Sequence, residues 1–304
     1  MENVIAKPFV KWVGGKTQLL GEVRKSLPMD LHLRTNVTYI EPFVGGGAVL
    51  FWILQAYPNI SRAIINDINP DLICTYRVIQ RNVEQLIERL DILQSQYISL
   101  DTAERKEYFL EKRKLYNLKN NSCVDTAALF IFLNRTCFNG LYRVNSKGEF
   151  NVPHGKYANP KICDKDNLIA VSKLLQRVEI LCGDFAETEK YANNDAIFYI
   201  DPPYKPLSET SSFTSYAKEG FNDAEQVRLR DFCNRISQQN ALFIASNSDP
   251  REETGASFFE QIYYKFQIKR VSATRLINAN PNNRGFVSEI MISNVVNTYA
   301  NERL

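Results

Sequence analysis

The sequence predicts an α/β protein built on a doubly wound, mostly parallel sheet. Three short apolar runs, at residues 38–40, 62–65 and 196–200, each end in polar residues and indicate buried strands. Helical stretches separate the runs, as expected for strands that are connected in parallel. Because ligands of such sheets gather at the carboxyl ends of the strands, the polar residues after each run are the first candidates for a site.

The composition is that of an ordinary globular protein, with 44% hydrophobic and 23% charged residues. No run of about 18 apolar residues occurs, so no membrane-spanning helix is expected. Residues 1–8 lack the apolar core of a signal peptide, which favours a cytoplasmic location. The six cysteines form no Cys-x-x-Cys pair, so neither a structural zinc site nor a disulfide framework is expected.

The middle of the chain has a different pattern from its two ends. Residues 72–118 are charged and helical in periodicity, and residues 145–148 carry turn chemistry between two short segments, which predicts a β-hairpin. The sheet pattern resumes near residue 178. We therefore predict a catalytic α/β domain of residues 1–71 and 178–304, with an inserted substrate-reading domain of residues 72–177.

A glycine turn and a carboxylate indicate a cofactor that contains a nucleoside. Gly45, Gly46 and Gly47 follow the first strand and precede a helix, where a backbone without side chains can approach a ligand closely. Leu50 occupies the position that a G-x-G-x-x-G dinucleotide motif requires to be small. Asp67 ends the next strand, where its carboxylate can accept hydrogen bonds from both hydroxyls of a ribose.

A second glycine-containing segment, residues 14–17, only superficially resembles a phosphate-binding loop. The first glycine of that motif would fall at residue 10, which is Val10, so the interpretation is rejected. Lys16 could instead be a surface lysine or close over an anionic ligand. It lies near Lys11 and Trp12, whose indole is available to a cation.

The strongest signal is the tetrapeptide formed by Asp201, Pro202, Pro203 and Tyr204 after the third strand. The Asp201 carboxylate and the Pro202 carbonyl can accept both hydrogens of an exocyclic amine and aim its lone pair at an electrophile. The prolines fix the backbone, and the Tyr204 ring offers a surface on which a base can stack. A plain turn at a strand end is the alternative, and the two upstream elements favour the functional interpretation.

Four segments occur together and in order, at residues 9–16, 41–47, 66–69 and 201–204. Through them the chain resembles the Dam/Dpn class of N6-adenine DNA methyltransferases over residues 7–294. Residues 138–145, 150–153 and 206–210 are similar to those of members that modify GATC. The resemblance implies a Rossmann-like methyltransferase sheet with an inserted helical and β-hairpin DNA-recognition domain, S-adenosylmethionine as cofactor, no metal, and double-stranded DNA as partner.

The resemblance also implies roles for particular residues. The residues implied to contact the cofactor are Trp12, Lys16, Phe43, Gly45, Asp67, Asp184, Phe185 and Asp201. The implied catalytic residues are Asp201, Pro202, Pro203 and Tyr204. The implied DNA contacts are Lys11, Phe138, Asn139, Leu141, Arg143, Pro153 and Tyr157, with Arg143 binding a guanine and Phe138 entering the base stack. Because adenine N6 is paired in a duplex, the target nucleotide must leave the helix.

Some alternatives stay open on the sequence alone. N4-cytosine methylation poses the same chemical problem, and a protein or RNA N-methyltransferase would leave the Arg143 hairpin unexplained. A non-catalytic DNA-binding regulator of the same fold is a further possibility. C5-cytosine methylation is excluded because it needs a cysteine nucleophile that typically follows proline, and the chain has no Pro-Cys pair. A partner restriction endonuclease is also conceivable.

Overall fold

The computed structural model describes residues 4–12, 14, 16–205, 221–250, 257–274 and 286–297. The chain divides into two compact units. The first is made of Met1–Lys16, Val44–Ala56 and Asn66–Gly183, and the second of Thr17–Phe43, Tyr57–Ile65 and Asp184–Leu304. The predicted insert of residues 72–177 lies within the first unit. The domain boundaries proposed from the sequence stay a prediction.

Helices and strands alternate along the chain as the sequence predicts. Among the described residues the strands are β1 (Thr38–Glu41), β2 (Arg62–Ile65), β3 (Val178–Ile180), β4 (Ala196–Ile200), β5 (Leu242–Ser248), β6 (Gln267–Thr274) and β7 (Phe286–Ser293). The helices there are α1 (Leu20–Ser26), α2 (Ala48–Ala56), α3 (Pro70–Arg81), α4 (Val83–Ser99), α5 (Thr102–Asn117), α6 (Cys123–Thr136), α7 (Lys165–Leu175), α8 (Asp223–Gln238) and α9 (Phe258–Ile262). The α/β class is confirmed.

The second unit contains a mostly parallel sheet with an antiparallel edge. Its strands lie in the order β2-β1-β4-β5-β7-β6. The pairs β2–β1, β1–β4 and β4–β5 are parallel, and β5–β7 and β7–β6 are antiparallel. The three strands predicted from apolar runs are therefore confirmed as parallel neighbours. Strands β5, β6 and β7 were not predicted from the sequence; in β7, polar residues such as Glu289 interrupt the apolar pattern.

Burial explains why the central strands have no polar face. All five residues of β4 are buried, and so are the last three of β1. Helix α8 packs its apolar side on this core, where the Phe232 ring meets the Phe198 ring edge-on at 5.9 Å. The helix begins after Asn222, whose side chain accepts a hydrogen bond from the Glu225 amide. Apolar strands covered by amphipathic helices are the usual arrangement of a doubly wound fold.

The first unit is mainly helical. Helix α6 is buried along most of its length and packs against α3, α4 and α5. The predicted helical stretch of residues 72–118 is confirmed as α3, α4 and α5. Local sequence sets where these helices begin. Asn69 caps α3 immediately before Pro70, and Asp101 and Glu104 form a reciprocal capping box at α5.

The predicted β-hairpin is only partly formed. Its turn is present, because the Asn145 and Glu149 backbones are hydrogen-bonded and Gly148 has a φ of +75°. The flanking segments, however, share one antiparallel bridge, between Val144 and Phe150, and do not form strands. Two backbone hydrogen bonds flank this bridge, from the Asn145 amide to Glu149 and from the Asn151 amide to Arg143. The backbone groups of Phe150 face away from Val144 and bind the side chain of Asn117 at 2.9 and 3.0 Å.

Two further features bear on the sequence expectations. All six cysteines are free thiols. A search of the described helices finds none that combines the length and the apolar character needed to cross a membrane.

Candidate active site

Two carboxylates lie at the carboxyl edge of the parallel strands in the second unit. Glu41 ends β1, and Asp201 follows the neighbouring strand β4. Glu41 is 2% exposed, and the Tyr39 hydroxyl donates a hydrogen bond to its Oε1 atom. Burial raises the pKa of Glu41 to about 8, the nearby charge of Asp201 adds to the rise, and the Tyr39 hydrogen bond opposes it. The neutral form of Glu41 is therefore favoured at pH 7.

The tetrapeptide that begins at Asp201 is held by β5 and α8. The Ser246 hydroxyl on β5 donates to Asp201 Oδ1 at 2.9 Å. Gln226 on α8 donates to the Pro203 carbonyl at 3.1 Å and accepts a hydrogen bond from Asn247 on β5, also at 3.1 Å. Gln226 and Asn247 are both buried, so the loop is fixed from two directions. A rigid carboxylate of this kind can orient an amine.

Tyr204 closes the tetrapeptide and is anchored through its hydroxyl. Its Oη atom donates to Glu289 Oε2 on β7 at 2.8 Å. Burial, followed by the charges of Asp201 and Glu289, raises the pKa of Tyr204 well above its ordinary value. The phenol therefore stays protonated and acts as a donor. The sequence analysis predicted Tyr204 and missed Ser246, Gln226 and Glu289, which no local motif indicates.

An aromatic cluster contains two of the residues of the second unit that are predicted to contact the cofactor, Phe43 and Phe185. Phe43 packs on Phe185 with ring centroids 5.2 Å apart, and Phe221 contacts both rings. The Arg228 guanidinium lies 4.1 Å from the centre of the Phe185 ring and binds both oxygens of Asp184 at 2.7 and 2.8 Å. These hydrogen bonds lower the pKa of Asp184. The structure thus brings Phe43, Asp184 and Phe185 close together and adds Phe221 and Arg228, which the sequence analysis missed.

In the first unit, Trp12, Gly45 and Asp67 form a second group. Asp67 accepts hydrogen bonds from the Gly45 and Asn69 amides at 3.0 and 2.9 Å. Gly45 has a φ of +48°, and a Cβ atom there would lie 2.8 Å from the Trp12 ring. Only glycine fits this turn. Burial raises the pKa of Asp67, and the amide hydrogen bonds oppose the rise. Lys16 is buried, with its Nζ atom 2.9 Å from the Gly14 carbonyl.

The predicted DNA contacts also belong to the first unit. Phe138 is 51% exposed, and its amide binds the Pro153 carbonyl at 2.8 Å, which joins the two segments. Asn139 adopts a positive φ of 55° beside it. Arg143 is exposed, with Nε bound to Asn151 Oδ1 at 2.7 Å.

Three further predicted contacts flank this group. The Lys11 ammonium lies 4.8 Å from the centre of the Tyr157 ring. Leu141 is half-buried. Residues 206–210, which also carried the resemblance, lie outside the described residues.

Among the described residues, no group of three or more His, Cys, Asp or Glu side chains could hold a metal ion.

Comparisons with known proteins identify relatives over almost the full chain. A model of the D12 class of N6-adenine-specific DNA methyltransferases matches residues 12–277. The type II methyltransferase M.MjaIII of Methanocaldococcus jannaschii is 49% identical over 291 residues, which is 95% of this chain and 99% of the relative. The type II methyltransferase M1.LlaDCHI of Lactococcus lactis subsp. cremoris is 40% identical over 96% of each chain. The DNA adenine methylase of Haemophilus influenzae is 36% identical over 94% of this chain and 92% of its own.

Proposed function

The chain belongs to the D12 class of N6-adenine-specific DNA methyltransferases, and from this premise we propose that it methylates adenine N6 at GATC sites in double-stranded DNA after extruding the target nucleotide. The proposed methyl donor is S-adenosylmethionine. The observation that carries the proposal is Asp201, held by Ser246 at the end of β4 and followed by two prolines and an anchored tyrosine.

The residues of each unit fit the parts of the donor that the resemblance assigns to them. In the first unit, each oxygen of Asp67 accepts one backbone N–H and keeps a lone pair for a ribose hydroxyl. The glycine turn at Gly45 removes the side chain that would obstruct a close approach. In the second unit, the half-buried Phe43 ring offers an apolar face for a purine, with the buried Phe185 ring packed beside it and the Asp184 carboxylate as acceptor.

In the proposed mechanism Asp201 carries the negative charge and Glu41 stays neutral beside it. The Asp201 carboxylate accepts one N6 hydrogen and the Pro202 carbonyl accepts the other, so the nitrogen lone pair points away from both. Tyr204 stacks on the extruded base, which offsets about 1–3 kcal/mol of the cost of unpairing and unstacking. When bound, S-adenosylmethionine supplies a methyl group activated by its sulfonium. Orientation and charge complementarity are then the protein's contribution.

Nucleoside analysis of methylated DNA tests this reaction directly. Purified protein, duplex DNA and S-adenosylmethionine should give N6-methyladenine, and Asp201→Ala should lower the rate by roughly 10²-fold or more. Asp195→Ala is the matched control, because Asp195 is an exposed aspartate just before the same strand. Near-normal turnover by Asp201→Ala would contradict the mechanism. N4-methylcytosine as product, or DNA binding without methylation, would favour one of the alternatives.

Mapping the modified adenines on a plasmid methylated in vitro tests the target sequence. We expect methylation at GATC, the site implied by the resemblance of residues 138–145 and 150–153 to GATC-modifying members of the family. A cognate endonuclease is a further proposal, which the type II names of two relatives favour. The cytoplasmic location expected from the sequence is consistent with a DNA substrate and stays a prediction.

A further inference from the structure

Glu289 is a buried carboxylate that the proposed chemistry does not use. It lies on β7, opposite Ser248 of β5 and Val271 of β6, and it is 8% exposed. Its Oε2 atom accepts the hydrogen bond from Tyr204 Oη at 2.8 Å, across 85 residues of sequence. The site therefore contains a contact between the tyrosine of the catalytic loop and the antiparallel edge of the sheet.

A carboxylate at this position needs an explanation beyond strand pairing. Removing a carboxylate from water is costly, and an apolar residue would serve the sheet at least as well. A hydroxyl that donates to a carboxylate forms a shorter and stronger hydrogen bond than one that donates to a neutral acceptor. Because the pKa of Tyr204 is raised, by burial first and then by the charges of Asp201 and Glu289, the donor keeps its proton.

The contact restrains the part of Tyr204 that the prolines leave free. Pro202 and Pro203 restrict the backbone before the tyrosine, but its side chain can still rotate about two torsions. A hydrogen bond at the far end of the ring restrains the first torsion directly, because a change in that torsion moves the hydroxyl. The second torsion turns the ring about the axis on which the hydroxyl lies, and it is restrained because a phenolic O–H prefers to lie in the plane of its ring. The ring is then oriented before any base arrives, and less conformational freedom is lost on stacking.

We propose that Glu289 is a positioning residue, which holds the Tyr204 ring in the orientation that stacks on the extruded adenine. This inference rests on the proposed function. Glu289 acts through the Tyr204 hydroxyl, so its contribution depends on that hydroxyl being present. A residue that only stabilised the β5–β7–β6 edge would contribute equally with or without it.

A double-mutant cycle between Glu289→Ala and Tyr204→Phe tests the inference. The two readouts are kcat for methyl transfer and the fluorescence of 2-aminopurine at the target adenine, which rises when the base is unstacked. Each single variant should lower kcat about 10-fold and raise the fluorescence, with KM for DNA little changed. In the Tyr204→Phe background, Glu289→Ala should have no further effect. Equal effects of Glu289→Ala in both backgrounds would overturn the proposal.

Two more variants distinguish a specific effect on Tyr204 from a loss of folding. Glu289→Gln keeps an acceptor and should retain most of the activity. Lys269→Ala, an exposed position on β6 that is ion-paired with Glu22, should behave as wild type. If Glu289→Ala does not fold, the Tyr204→Phe variant tests the proposal by itself. Wild-type kcat and wild-type fluorescence in Tyr204→Phe would refute the role of the Tyr204 hydroxyl. If the wild-type protein methylates adenine but the effects of the two substitutions add, only this inference is refuted. If the wild-type protein forms no N6-methyladenine, the proposed function is refuted.

Discussion

At the scale of single residues, neighbouring carboxylates in the second unit have different roles because their surroundings differ. Glu41 is enclosed and bound by one tyrosine hydroxyl, and its pKa rises to about 8. Asp201, at the end of the neighbouring strand β4, accepts a hydrogen bond from the Ser246 hydroxyl. The charge of Asp201 contributes to the raised pKa of Glu41, because two charges side by side would repel each other. A neutral Glu41 suits the proposed role of Asp201 as the acceptor of an N–H.

The raised pKa of Glu41 predicts how stability depends on pH. Below about pH 4.5 both the folded and the unfolded chain hold the proton; between about 4.5 and about 8 only the folded chain does. The free energy of unfolding therefore falls as pH rises through this window. Glu41→Gln should remove this fall, with a gain over wild type that grows to a few kcal/mol at pH 8. Denaturant unfolding of both proteins at pH 5 and pH 8 measures it, and parallel pH profiles would contradict the assignment.

Substitution of Asp67 is expected to weaken cofactor binding and to leave the fold intact. Its carboxylate binds two backbone amides and retains lone pairs for a ribose diol. Asp67→Ala should weaken binding of S-adenosylmethionine about 10-fold or more, which corresponds to roughly 1.4 kcal/mol or more. Calorimetric titration measures the affinity. Asp195→Ala is the control; Asp71→Ala is unsuitable because Asp71 binds Tyr116 and Lys119. An unchanged affinity in Asp67→Ala would contradict the proposed contact with the ribose.

At the scale of elements, residues 143–151 form a turn whose flanks share a single antiparallel bridge. Asn117 at the end of α5 binds both backbone groups of Phe150, and Asn151 binds Arg143. These side chains support a segment whose two flanks are joined by only two backbone hydrogen bonds around one bridge. Arg143 keeps further N–H donors for a ligand, since a guanidinium has five. The segment can present this residue at a defined angle without forming a strand.

Substitution of Arg143 is expected to reduce discrimination between DNA sequences. A bidentate arginine–guanine contact is worth about 1–3 kcal/mol against the wrong base, so Arg143→Ala should narrow the preference for GATC over single-base variants by that amount. Competition between duplexes in methylation assays measures the preference. Lys147→Ala, an exposed residue of the same turn, is the control. If discrimination survives in Arg143→Ala, the role of the segment in base reading is wrong.

At the scale of the whole molecule, the net charge offers little attraction for a polyanion. It is only +3, the difference between 37 basic and 34 acidic residues. Electrostatic attraction to the proposed DNA substrate would therefore come from local groups, and Lys11, which lies over the Tyr157 ring in the first unit, is one of the proposed contacts.

Substitution of Lys11 is expected to change the salt dependence of DNA binding. If its ammonium contacts a phosphate, Lys11→Gln should weaken binding to all sequences alike and reduce the slope of log K against log salt by about 1. Binding titrations at several salt concentrations measure the slope. Lys173→Gln, an exposed lysine of the same unit, should leave it unchanged. Identical slopes for Lys11→Gln and wild type would rule out the phosphate contact.

The sequence by itself determined the features that depend on neighbouring residues. Apolar runs predicted β1, β2 and β4, cap residues set the starts of α3 and α5, and the segment 201–204 indicated the chemistry. Tertiary structure alone decided the hydrogen bonds of Tyr204 with Glu289 and of Ser246 with Asp201, the pairing of Arg228 with Asp184, and the raised pKa of Glu41. The reason is physical: these properties depend on burial and on strand register, which bring together side chains far apart in the sequence, such as Tyr204 and Glu289, 85 residues apart.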